Sequence, residues 1–282
     1  MLRDKLKGKL NNDTIGLVSN RFDIIGDAAI IKEIPGLKAA DKRLIADGIM
    51  ADNNHIKKVF EKLGKIEGEE RVPKLRRLAG EKSSEVLHRE NGCAYAMDMK
   101  KVFFSPRLSN ERLRVYKLAK KSDIVLDMFS GVGPYSILLA KKVREVFSID
   151  INRSAVAYLK ENIYRNKIKN VAVFCGDANK LAKKLDKKFT RVIMNLPITS
   201  DAFLKTALSV CDDHAVIHFY CVVNAKEGFK KGLQNKKAEI IKKIPERSFR
   251  VTGMGASKAG EIAPYIYRVC IDIRLNRKNQ KR

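Results

Sequence analysis

From Ile124 to Leu275 the chain alternates two kinds of apolar pattern. Short β-branched runs, Ile124–Leu126, Val146–Ile149, Val171–Phe174, Arg191–Met194, Ala215–Val222 and Tyr265–Leu275, read as strands. Between them, apolar residues recur every three or four positions and read as helices. These are Tyr135–Lys142, Ser154–Asn166 with Val156, Leu159 and Ile163 on one face, Lys180–Leu185, Asp201–Val210, and Ala225–Asn235 leading on to Glu239–Ile244. Strands alternating with helices predict a mostly parallel sheet with helices on both faces.

The first third of the chain is patterned differently. Phe22–Ile34 reads as two short strands around Gly26-Asp27, a two-residue hairpin signal. Lys38–Asp52 and Ile56–Leu63 carry helical spacing. Lys65–Gly80 is polar, and Pro73 argues against a central strand or helix interior there. Glu85–His88 and Ala94–Met99 read as strands joined at Asn91-Gly92, and Val102–Phe104 as another. Ser105–Arg112 opens a helix running through Leu118, with Ser109 as its expected N-cap. The basic residues 1–12 are expected to be helical, and Asn276–Arg282 to be a disordered tail. The expected organisation is a small α+β domain over residues 1–104 and an α/β domain over 105–282.

Composition narrows the functional classes. The 282 residues carry a formal net charge of +26, which favours a polyanionic partner, although a generally basic bias gives the same excess. Cys93, Cys175, Cys211, Cys221 and Cys270 are scattered without a C-x-x-C pair, so reduced thiols of an intracellular, cytoplasmic protein are expected. His55, His88, His214 and His218 lack ligand spacing, and no metal is expected. The start of the chain runs directly into charge, and no apolar run approaches membrane-spanning length, so no membrane association is expected. The lysine pairs, such as Lys183-Lys184 and Lys236-Lys237, are ordinarily solvated helix faces, though some could steer a polyanion.

The candidate chemistry centres on Ser122–Asp150, read as strand, glycine turn, helix and strand. Asp127, Gly131 and Gly133 form D-x-x-x-G-x-G, and Pro134 follows where a helix can begin. Asp150 closes the next strand, placed to accept hydrogen bonds from ribose hydroxyls. The third glycine of the dinucleotide pattern is missing, and Asp127 would repel a pyrophosphate. The turn suits the cationic amino-acid end of S-adenosyl-L-methionine better. With Phe129 in D-x-F-x-G-x-G, it resembles the class I methyltransferase signature, which implies a Rossmann-like sheet. Ligands of such sheets sit at the carboxyl ends of strands. Asp177, after the third strand, could bond an adenine amine or cap a helix. Asn195-Leu196-Pro197, after the fourth, offers an amide on a stiffened loop. It departs from the Asn-Pro-Pro-aromatic loop of many nitrogen methyltransferases.

Four segments in order carry a more specific resemblance: Arg71 within GEERVPKLRRLAG, VFFSPRLSNER over Val102–Arg112, DMFSGVGPYSI over Asp127–Ile137, and RVIMNLP over Arg191–Pro197. HFYCVV, over His218–Val223, accompanies them as a core strand. Together they resemble the archaeal and eukaryotic-type tRNA (guanine-37 N1)-methyltransferase family over residues 10 to 275. The resemblance implies that Arg71 contacts the guanine O6 and that Glu111 is the general base. It further implies that Arg112 helps hold the anticodon loop, and that Asn195 and Pro197 fix the target base. Phe103 stands where some members have tyrosine, so stacking is kept and a hydroxyl lost. Arg107 and Arg112 could also be simple phosphate contacts. Outside that resemblance, Glu111 reads as a first-turn surface carboxylate and Arg71 as a solvated arginine. The implied form lacks the further N-terminal domain with which many archaeal members touch the tRNA elbow. The expected cofactor is S-adenosyl-L-methionine, and the expected partner a tRNA anticodon loop bearing guanine 37, bound by a monomer. The alternatives are a related aminocarboxypropyl transfer or wyosine-intermediate methylation at the same position, or a non-catalytic RNA-binding protein.

Overall fold

The computed structural model describes residues 6–8, 10, 12–19, 21–64 and 68–278. Most of the expected N-terminal basic helix and the last four residues lie outside them. Asn276 and Arg277, expected in the tail, end a strand instead. The chain divides into two compact units, residues 1–107 and 108–282.

In the first unit, helix α1 (Asn12–Leu17) precedes a sheet of β1 (Asp23–Ile25), β2 (Ala28–Lys32), β3 (Lys58–Leu63) and β4 (Lys74–Gly80). β2 and β3 are parallel, joined through helix α2 (Ala39–Asp52), and the other pairs are antiparallel. A separate hairpin follows, β5 (Glu85–Glu90) with β6 (Cys93–Asp98). Ile45, Ile49, Val59 and Ala79 lie in one buried core of this unit.

Three segments of the first unit depart from their expected structure. In Ile56–Leu63, expected to be helical, Lys58–Leu63 is β3. Its apolar spacing looked helical because the strand buries two charged residues, Lys58 and Glu61. Lys42 donates to Glu61 at 2.8 Å and Arg76 also pairs with it, so the buried carboxylate is compensated. Second, Lys74–Gly80 forms β4, beginning immediately after Pro73, where the missing N–H removes no ladder bond. Third, Val102–Phe104 is not a strand.

A short 3-10 turn, Pro106–Leu108, leads into the second unit's first helix, α3 (Ser109–Leu118). Leu108 takes the N-cap position without a side-chain cap, so Ser109 is the first helical residue and not the cap expected. The sheet then takes β7 (Ile124–Asp127), β8 (Glu145–Asp150), β9 (Val171–Cys175), β10 (Phe189–Met194), β11 (Cys211–Asn224), β12 (Phe249–Ala263) and β13 (Ile266–Arg277). The spatial order is β12-β13-β11-β10-β7-β8-β9. All pairs from β9 through β11 are parallel, and β13 runs antiparallel to both neighbours.

The helices are α4 (Pro134–Ala140), α5 (Arg153–Arg165), α6 (Ala178–Lys184), α7 (Leu204–Val210) and α8 (Phe229–Lys243). α8 is one helix over the stretch expected to divide near Asn235. Alternate residues of single strands fall in two separate cores. Leu126, Val192, Phe219 and Ile271 join α6, α7 and α8, whereas Val125, Ile193, Tyr220 and Cys270 join α3 and α4. The sheet is therefore covered on both faces, which is why its strands read as nearly continuous apolar runs. Among the described residues no helix is long and apolar enough to cross a membrane.

Candidate active site

Strand order reverses between β7 and β10, and loops at the carboxyl ends of strands beside such a reversal form the ligand crevice of open α/β sheets. Asp127 ends β7 there and is fully buried. Its Oδ2 accepts the Ser136 hydroxyl at 2.7 Å, while Oδ1 is buried without a well-formed hydrogen bond. Burial pushes its carboxyl up to about 7, with the Asp150 charge adding and hydrogen bonds from Ser136 and Phe129 opposing. The turn then bends back on β8. Ser130 N–H donates to the Ile149 carbonyl at 2.9 Å, and Gly131 N–H to Asp150 Oδ2 at 2.6 Å. Asp150 Oδ1 accepts from Asn152 N–H at 2.9 Å.

Gly133 holds φ +94°, and a Cβ there would sit 2.3 Å from Leu159 Cδ1. Only glycine fits the left-handed backbone and the space together. Pro134 then starts α4, as its fixed φ allows. Phe129, half-buried, meets Phe203 edge-on with centroids 4.8 Å apart. Asp177 caps α6, accepting from Asn179 N–H at 2.6 Å, so the capping alternative for this residue is observed.

The Asn195-Leu196-Pro197 loop follows β10. Asn195 Oδ1 is buried without a partner, and Pro197 is buried. Ser200 fastens the loop, its hydroxyl donating to the Leu196 carbonyl at 2.7 Å. Two unsatisfied acceptors, on Asp127 and Asn195, therefore lie at the ends of β7 and β10, adjacent strands of the sheet. Buried acceptors of this kind are costly unless a donor arrives. The two open acceptors fit a ligand that brings ammonium and amine donors, as S-adenosyl-L-methionine does.

Glu111, in the first turn of α3, is buried. Arg114, one helical turn on, grips it with Nε to Oε2 and Nη2 to Oε1, both at 2.8 Å. Tyr220 OH donates to Oε1 at 2.8 Å and the Ser257 hydroxyl to Oε2 at 3.3 Å. Tyr220 spends its proton on Glu111, so in the Tyr135–Tyr220 contact of 2.6 Å Tyr135 must be the donor. Arg114 also bonds Asp272 at 2.6 Å, and Asp272 meets His218 Nδ1 at 2.6 Å. His218 Nε2 faces Arg191 Nη1 at 2.6 Å, and Arg191 Nε donates to Asp123 at 2.9 Å.

A guanidinium can only donate, so His218 Nε2 is the acceptor and its proton sits on Nδ1, pointing at Asp272. The ring is neutral. Burial lowers its pKa, the Asp272 bond opposes this, and Arg191 and Arg114 lower it further. Burial alone would raise the Asp272 carboxyl, but His218 and Arg114 hold it well below the usual carboxylate range. Cys270 brings a third metal-ligating atom near His218 and Asp272, yet guanidinium groups already occupy both carboxylate and imidazole.

Arg112, expected to hold RNA, is 1% exposed. A side chain so placed cannot reach a phosphate without leaving the interior. The remaining expected residues belong to the first unit. Arg71 has φ +53°, and its half-buried guanidinium lies 5.8 Å from the Phe103 ring centroid. Burial lowers its pKa. Arg107 is exposed and pairs with Asp23 at 2.6 Å. Lys62 is pushed down by burial, with Asp23 opposing and Arg107, Arg71 and Lys32 adding to the effect. This unit thus gathers four cations near one carboxylate.

Sequence reasoning missed Arg114, Tyr220, Ser257 and Asp272. Two signals were present: Arg114 lies three residues after Glu111 on one helix, and Asp272 interrupts an apolar strand.

The sheet order, the glycine turn and the acidic ends of β7 and β8 define a class I S-adenosyl-L-methionine-dependent methyltransferase. Residues 86–247 match the TRM5/TYW2 methyltransferase domain and residues 2–83 the TYW2 N-terminal domain. The chain belongs to the TRM5/TYW2 family. It is 42% identical over 256 residues to the tRNA (guanine(37)-N(1))-methyltransferase Trm5b of Pyrococcus abyssi, covering 90% of this chain and 74% of that one. It is 34% identical to the tRNA 4-demethylwyosine(37)-methyltransferase Taw21 of Saccharolobus solfataricus, covering 91% of this chain and 94% of the relative. Among solved structures, the complex of aTrm5 and tRNALeu superposes with a TM-score of 0.84 at 30% identity, covering 98% of this chain and 78% of that one.

Proposed function

We propose that this chain transfers a methyl group from S-adenosyl-L-methionine to N1 of guanine 37 in tRNA. The observation that carries the reading is the 42% identity, across nine-tenths of the chain, to an enzyme named for that reaction. When bound, the cofactor supplies a methyl group on an activated sulfonium. Asp127, Asp150 and Asn195 would hold it, and the Gly131–Gly133 turn gives it close backbone approach. Guanine N1 carries a proton and is a poor nucleophile until that proton leaves. Glu111 accepts it, and the negative charge that spreads to O6 is stabilised by Arg71. Phe103 stacks on the target nucleotide, whose place in a loop lets it be splayed out. Arg107 and the cations around it bind phosphate.

The test is methyl transfer to a tRNA transcript with guanine at position 37, beside one with adenine there, read by nucleoside mass spectrometry. N1-methylguanosine from the first transcript alone supports the reading. The likeness to Taw21 favours a second activity, methylation of 4-demethylwyosine at the same position. A tRNA carrying that base, read in the same way, tests it; an added aminocarboxypropyl mass instead assigns the related transfer.

A further inference from the structure

We infer that Ser257 is a positioning residue that guards the proton-accepting lone pair of Glu111. The inference rests on Glu111 as the proton acceptor. A carboxylate offers about four lone-pair positions, and Glu111 already receives four donors: two from Arg114 and one each from Tyr220 and Ser257. None is left for N1–H, so one donor must leave before a substrate proton can arrive.

The four are not equally free to go. Arg114 is tied on its far side to Asp272 by two further bonds, of 2.6 and 3.1 Å. Tyr220 is fully buried, and its proton, once released, would lose its carboxylate acceptor in the interior while Tyr135 still occupies the oxygen. Ser257 makes the longest bond, 3.3 Å, is uncharged, and is half-buried on the edge strand β12. Its hydroxyl turns away by rotation about a single side-chain bond. The incoming N1–H then replaces it on Oε2, while Arg114 and Tyr220 keep the carboxylate oriented.

The experiment compares Ser257→Ala and Ser257→Thr in steady-state methylation of the guanine-37 transcript, with S-adenosyl-L-methionine affinity measured by calorimetry. Removing the competing hydroxyl lowers KM for tRNA by roughly threefold, the scale of one modest hydrogen bond, with cofactor affinity unchanged. Thr keeps the hydroxyl but stiffens its rotation, so its KM stays at or above that of the parent. An unchanged or raised KM in Ser257→Ala overturns the inference. Glu111→Gln separates this failure from failure of the underlying reading. If Glu111→Gln binds cofactor and still turns over, Glu111 is not the base and both ideas fall. If it binds cofactor but is inactive while Ser257→Ala is unaltered, only the Ser257 role fails.

Discussion

A carboxyl with no exposure and a pKa near 7 is neutral in about half of the molecules at neutral pH, and Asp127 is such a group. Its folded pKa lies above the ordinary 3.8, so the native chain holds the proton more tightly than the unfolded one between those values. Its contribution to stability is therefore full below pH 3.8 and is lost as pH rises through about 7, by an amount on the order of 4 kcal/mol. Asp127→Asn removes the cost of ionisation. It should melt above the parent at pH 8 and close to it at pH 4, in thermal scans on the cofactor-free protein. A cationic ligand beside Oδ1 favours the ionised form, so S-adenosyl-L-methionine affinity should rise with pH through about 7 and level off, and Asp127→Asn should flatten that rise. Gly133 sets the other limit on the turn. With φ +94° and Leu159 in the way, Gly133→Ala should destabilise by about 1–3 kcal/mol and weaken cofactor binding at least tenfold, measured by denaturation and calorimetry.

At the scale of elements, α3, β10, β11 and β13 are joined by one hydrogen-bonded run of charged side chains with a neutral imidazole in its middle: Glu111, Arg114, Asp272, His218, Arg191 and Asp123. Breaking a buried run from the middle strands the partners on both sides. Asp272→Ala should cost about 3–5 kcal/mol in urea denaturation, while Arg43→Ala, which breaks an exposed pair with Asp47, should cost under about 0.5. The run also predicts an acid limb. His218 is held neutral below its ordinary 6.5, so its contribution fades as pH falls below that value. The contributions of Asp272 and Asp123, whose carboxyls are held low, fade below 3.8. Both act opposite to Asp127, and Asp127→Asn should leave this limb in place.

The same elements explain what the sequence disclosed. β7 through β11 were readable because a strand covered on both faces is apolar throughout. β12, FRVTGMGASKAGEIA, offers no apolar pattern. It is an edge strand with three register shifts, held by its ladder to β13. The cofactor turn was readable because all of it lies within 24 residues. The surroundings of Glu111 were not, because residues 111, 220, 257 and 272 meet only once the sheet has formed.

At the scale of the whole molecule, the basic residues behind the net charge of +26 are spread over helices, strands and loops. Its effect is collective: a strongly basic surface attracts a polyanion over distances at which individual pairs are screened. The cofactor is different. Its candidate site is made of buried carboxylate, amide and backbone groups, so its binding should depend little on the ionic atmosphere. The two ligands should therefore separate cleanly with salt. Each phosphate neutralised releases bound counterions, so an interface of about five such contacts on a loop would make tRNA affinity fall by on the order of a hundredfold between about 50 and about 200 mM salt. Over the same range S-adenosyl-L-methionine affinity should change by less than about twofold. Filter binding for tRNA and calorimetry for the cofactor measure the two slopes on one preparation. Arg107→Ala, exposed in the cationic group of the first unit, should reduce the tRNA slope by about one contact and leave the cofactor slope alone. An unchanged tRNA slope would remove Arg107 from the RNA contact surface, and a flat one would remove the electrostatic account of tRNA binding altogether.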